Sequence, residues 1–129
     1  MKSTLLVLIG IAVGVTAMAI YTKNLASSSG QLGHLPEPYY KVLWENGDIR
    51  VVEHRMKPGE SEPKHSHPDM LAYIIENSSL RITEGDGTVH DEKLTRGDFQ
   101  KLPPWTHSIK NTGDTELHTL LIELKHAAK

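Results

Sequence analysis

Two histidines one residue apart, His65 and His67, and a third far downstream, His107, are the side chains of this chain best placed to do chemistry. The sequence holds eight histidines and no cysteine. Imidazole is the commonest protein ligand for metals. The lack of thiols excludes a disulfide framework, a thiolate nucleophile and Cys-based zinc or iron–sulfur sites. On an extended strand, alternation places His65 and His67 on one face, with Lys64 and Ser66 on the other. In His107-Ser108-Ile109-Lys110-Asn111, Ser108 and Lys110 form the polar, outward face, so His107, Ile109 and Asn111 turn inward. Three inward imidazoles are costly unless their nitrogens are satisfied, and a metal ion satisfies them. The other histidines have plainer readings. His34 is solvated; His118 shares a face with Leu120, Ile122 and Leu124 and reads as a hydrogen-bonded core residue; His54, His90 and His126 have no assigned role.

The elements that must carry these residues are short strands. From Tyr39 onward no amphipathic helix of useful length is present, and β-rich runs alternate with turn signals every 8–12 residues or so. Lys41–Trp44 and Ile49–Glu53 flank Glu45-Asn46-Gly47-Asp48, with Asn-Gly as a hairpin tip. Leu80–Thr83 and Thr88–His90 flank Glu84-Gly85-Asp86-Gly87, a second hairpin. Leu71–Ile75, Phe99–Leu102, His107–Lys110 and Glu116–Leu124 complete the set. Some eight or nine strands in roughly 90 residues predict an all-β fold, a small closed or double-sheet structure. Its interior has room for packed side chains or one small ligand. Alternation does not decide whether Glu53 and Arg55, or Val52 and His54, face inward.

Upstream, Ser3 to Thr22 carries no charge. As a helix it would span about 30 Å, the thickness of a bilayer's hydrocarbon core. Residues 1–22 therefore read as a hydrophobic helix, either a signal peptide cleaved near Ala17-Met18-Ala19 or an uncleaved membrane anchor. Lys2 and the N-terminal amine favour an exported C-terminal part, periplasmic or otherwise extracytoplasmic, secreted or tethered. Residues 23–38, rich in Ser, Gly and Pro, read as a flexible linker, and 39–129 as the folded domain. With 129 residues, 14 basic and 16 acidic side chains and a net charge of −2, the chain offers no field for nucleic acid. Contact with a membrane is expected only through the N-terminal segment.

Two motifs sharpen this reading. Gly59-Glu60-Ser61-Glu62-Pro63-Lys64-His65-Ser66-His67 is G-x5-H-x-H. Gly97 to Pro103 is G-x5-P, followed by His107 and Asn111 as H-x3-N. Together they resemble the two motifs of the cupin superfamily, over roughly Val42 to Leu124, and in particular its short single-domain members. The resemblance implies a double-stranded β-helix, the cupin jelly-roll barrel, with one divalent metal on His65, His67 and His107. It also implies a homodimer, since related barrels often pair through an edge strand.

The chain departs from the pattern at two places. A Glu ligand usually follows the second His, but here Met70 stands in that place when Asn77 is aligned with the motif's glycine, and Leu71 does in the alternative alignment. The turn Pro103-Pro104-Trp105-Thr106 before His107 is one residue shorter than the family's and lacks its glycine. Met70, Tyr73 and Trp105 are the expected substrate-pocket residues, Trp105 as a cap on the barrel mouth.

Iron, zinc, manganese or nickel would each suit such a site, and geometry selects among them. Three protein ligands leave positions open for water, substrate or dioxygen. By resemblance, cupins without the Glu include iron dioxygenases acting on thiols and diketones. The expected function is thus binding of a small, anionic molecule beside the metal, with an iron-dependent dioxygenase as its enzymatic form. A non-enzymatic metal- or ligand-binding module is the alternative, and a zinc-dependent hydrolase or isomerase a third.

Overall fold

The structure, a computed structural model, describes residues 32–125. Nine strands follow in order: β1 Tyr40–Glu45, β2 Ile49–Met56, β3 His65–His67, β4 Met70–Ile74, β5 Ser78–Glu84, β6 Val89–Leu94, β7 Phe99–Leu102, β8 Trp105–Asn111 and β9 Leu117–Leu124. They form two antiparallel sheets, one ordered β1-β2-β9-β4-β7 and the other β3-β8-β5-β6. This is the jelly-roll arrangement of two facing sheets. No helix occurs among the described residues, and none there is long and apolar enough to cross a membrane. The hydrophobic helix and its cleavage or anchoring, expected over residues 1–22, lie outside the described residues, as does His126. The expected linker is described only from residue 32, and that end rests on the barrel. Leu35 packs against the core, and Gly33 O accepts a hydrogen bond from Arg50.

Alternation builds the interior. On β9 the buried residues are Leu117, Thr119, Leu121 and Glu123, every second position. On β2 they are Val52, His54 and Met56, which answers the open parity there: Glu53 and Arg55 face outward. Met56, Ile74, Leu80, Ile82, Leu94, Ile109 and Leu117 form one apolar cluster, and Val52, Met70, Ala72 and Leu121 a second beside it.

The motif glycines have a backbone reason. Gly59 and Gly97 sit at φ of 83° and 91°, the left-handed region that a Cβ disfavours. Gly97 N donates to Ile74 O and Gly59 N to Asn111 O, so each turn is pinned to a strand near the site. Two turns take their shape from asparagine side chains and not from a left-handed backbone. Among the described residues, none other than glycine has positive φ, so Asn77 does not replace the motif glycine by adopting a left-handed conformation; its Oδ1 instead accepts from the Arg96 amide. The first hairpin tip is likewise built on the Asn46 side chain, which accepts from the amides of Asp48 and Ile49, and not on a left-handed Gly47.

Candidate metal centre

Sheet register brings the three histidines together. In the β3–β8 pair His65 lies directly across from His107, and His67 across from Trp105. Cross-strand partners on one face have Cβ atoms about 5 Å apart, and His67 shares the face of His65 two residues on. All three imidazoles are buried, while Ser66 and Thr106 point outward and bond to each other. One ring nitrogen from each lies within 4.8 Å of the other two. Ring centroids stand 4.7 to 5.3 Å apart, with planes inclined by 65 to 78°.

Hydrogen bonds fix which nitrogens converge. His65 Nδ1 donates to Pro63 O at 2.9 Å, and His67 Nδ1 donates to Glu123 Oε1 at 2.7 Å. Because those partners only accept, each neutral ring turns the lone pair of its Nε2 toward the centre. The two Nε2 atoms are 2.9 Å apart. Two lone pairs at that separation repel unless a cation lies between them. Both nitrogens of His107 are buried without a hydrogen-bond partner. Burial, then the neighbouring imidazoles, push its pKa down to about 2, and burial also lowers that of His65. Both shifts favour the neutral imidazole, the form that binds metal.

The facing sheet supplies support that the sequence reading missed. Glu123 on β9 is fully buried between His67 and the guanidinium of Arg50 on β2. Burial alone would raise its carboxyl pKa, but these hydrogen bonds outweigh it and hold the group ionised. A carboxylate behind a ligating histidine fixes its tautomer and orientation. Tyr40 on β1 stacks on His54 of β2, with centroids 4.1 Å apart. Its Oη lies 2.9 Å from His65 Nε2 and donates to Glu62 Oε1 at 3.2 Å. Burial and the Glu62 charge raise the phenol's pKa well above its usual value. His54 Nε2 donates to the other oxygen of Glu62 at 3.1 Å. The parity of β2 was the missing signal for His54, and Pro63 breaks the alternation that would have placed Glu62.

Of the expected pocket residues, Met70 and Trp105 line the interior cavity with His67 and His107. The Trp105 ring meets His107 edge-on at 3.7 Å, and its Nε1 donates to Glu84 Oε2 at 2.6 Å. Tyr73 is a correction. Its strand turns it to the outer face, where it packs on Phe99 at 4.9 Å, and it does not line the cavity. His118 also points away from the interior and bonds to Glu53 at 2.9 Å, on the outer face it shares with Leu120 and Ile122. The cavity, about 50 Å³ in volume, runs from the histidines between Ile74, Ile82, Leu117 and Leu121. Tyr40, His54 and Thr119 also line it, as do Glu92 and Gln100, which are hydrogen-bonded to each other.

The donor set fits a divalent cation: three buried imidazoles, converging ring nitrogens, a buried His107 ring without a partner, and carbonyl or carboxylate support behind the other two rings.

Comparison with known proteins agrees with this architecture. The family model described as Cupin domain matches residues 52–123, more than half of the chain. A cupin domain from Bordetella pertussis superposes with a TM-score of 0.62 at 27% identity, covering 71% of this chain and 99% of that one. An uncharacterised conserved protein with a double-stranded β-helix domain from Klebsiella pneumoniae gives 0.55 at 22%, covering 74% and 85%. An RmlC-like cupin from Methanocaldococcus jannaschii gives 0.53 at 17%, covering 74% and 91%. No curated protein matches the sequence. On the family match and the shared fold, this chain belongs to the cupin domain family.

Proposed function

We propose that this cupin holds one divalent metal ion on His65, His67 and His107 and uses it to bind a small molecule in the adjoining cavity. The observation that carries the reading is the 2.9 Å approach of two imidazole nitrogens whose protons are committed elsewhere. The apolar walls under the histidines suit a compact apolar body, and the metal suits one anionic oxygen or sulfur on it. When bound, iron supplies oxygen-dependent oxidation and zinc a polarised water. The chain's own residues orient the ligands through Glu123 and Pro63, bury the site, and shape the pocket with Met70 and Trp105. The oxidative form of the proposal is an iron-dependent dioxygenase acting on thiols, diketones or phenolic acids. The full chain, loaded with iron(II), is to be tested for oxygen uptake across a panel of these. Uptake with one class, lost in His107→Ala, supports the dioxygenase. Full zinc occupancy without uptake favours binding or zinc-dependent hydrolysis or isomerisation.

Two further elements belong to this proposal. The apolar run within residues 1–22 supports export with the domain outside the cytoplasm. Pairing of two copies is supported by β1, an edge strand on which Val42, Leu43 and Trp44 are 47%, 49% and 52% exposed. An antiparallel pairing of two β1 strands centred on Leu43 would set Lys41 of one copy against Glu45 of the other.

A further inference from the structure

Glu62 lies in the segment before β3, with a side chain that has no exposure to solvent. Its ion-pair neighbours are all histidines: His54 at 3.1 Å, His65 at 3.7 Å and His107 at 4.0 Å. The Arg50 guanidinium is engaged by Glu123. A carboxylate taken out of water needs compensating charge, and a cation held by these same histidines would supply it. The two oxygens have different surroundings. Oε2 is anchored by His54 Nε2, whereas Oε1 faces the Nε2 atoms of His65 and His107 and the Tyr40 hydroxyl. Donors bound to one ion at about 2.1 Å stand roughly 3 to 4 Å from each other. The separations of Oε1 from the two imidazole nitrogens fall in that range.

We infer that Glu62 is a fourth protein donor to the metal, through Oε1, an inference that rests on the three-histidine reading above. The carboxylate absent after His67, where Met70 stands, is supplied instead from three residues before His65. His54 then acts as a positioning residue: it holds Oε2, and its stacking on Tyr40 keeps both against the site. One negative charge from Glu62 moderates the ion's electrophilicity and leaves fewer positions for an incoming ligand. The site would thus prefer a singly charged ligand donor to a dianionic chelate.

Cobalt(II) binding to the full chain tests this through its visible absorption, which reports donor number and type. The wild-type chain, Glu62→Gln, Glu62→Asp and Tyr40→Phe are to be titrated alongside His107→Ala, with circular dichroism to confirm folding. The expected result is one ion per wild-type chain. Glu62→Gln should keep the fold, weaken binding about tenfold or more, and change the spectrum more than Tyr40→Phe does. Glu62→Asp, which keeps the carboxylate, should fall between wild type and Gln. If Glu62→Gln binds cobalt as wild type does with an unaltered spectrum, the inference is overturned while the three-histidine site stands. A spectral change in Tyr40→Phe alone would overturn it in favour of the phenol. No binding by the wild-type chain, or binding indifferent to His107→Ala, would instead refute the three-histidine site itself.

Discussion

At the residue scale, the central fact is that His107 has two buried nitrogens and no partner for either. A buried polar group left unsatisfied costs about 1–3 kcal/mol, a cost the protein carries in the absence of metal. Replacing the ring by an apolar side chain should therefore separate stability from binding. His107→Leu is expected to melt at or above the temperature of the metal-free wild type, and to lose any rise in melting temperature on adding divalent metal. Thermal denaturation with and without chelator measures both. Glu123 makes the opposite case, because its charge is paired. Glu123→Gln leaves the Arg50 guanidinium without its carboxylate and should cost about 3 kcal/mol of stability, read from urea denaturation of the metal-free chain. The histidine triad was legible in the sequence because alternation on two short strands is enough to turn His65, His67 and His107 inward. Glu62, His54 and Tyr40 were not. Glu62 reaches the site around Pro63, and the inward face of β2 depends on its pairing with β9.

At the element scale, strand positions were readable from β-rich runs and turn signals, but the face of a given residue was secure only where polar and apolar residues alternate. Met70 and Tyr73 are three apart, so one regular strand cannot turn both inward. The strand β4 buries Met70 and sends Tyr73 out to Phe99. Likewise β9 carries large apolar residues on both faces, which hid the outward direction of His118. The three-residue strand β3 is held on one side by β8 alone. Since it brings two of the ligands, metal should stabilise it more than the centre of the other sheet. Hydrogen exchange at the β3 amides is expected to slow on metal loading, with β9 little changed. The end of β5 offers a pH test. Hydrogen bonds from His90 and then Trp105 lower the pKa of Glu84 beneath the ordinary 4.5. A carboxyl with a depressed folded-state pKa contributes stability above 4.5 and loses it as pH falls through the lower value. In a Trp44→Phe background, Trp105 fluorescence should therefore hold steady down to pH 4.5 and change below it, and Glu84→Gln should remove the change.

At the scale of the whole molecule, two facing sheets place a buried polar site at one part of a mostly apolar interior. The site needs both: β3 and β8 bring the ligands, and β1, β2 and β9 bring the groups that hold them. If β1 is the pairing edge, Trp44→Lys should convert a dimer to a monomer in light-scattering chromatography, and an unchanged mass would exclude that edge. The claim on which the account turns is that three imidazoles share one cation. Its most direct measurement is the metal content of the full chain after equilibration with a divalent ion and removal of the excess, compared between wild type and His107→Leu. One ion per wild-type chain and none in the folded variant is the predicted result. Equal metal in the two proteins, or none in either, would contradict it.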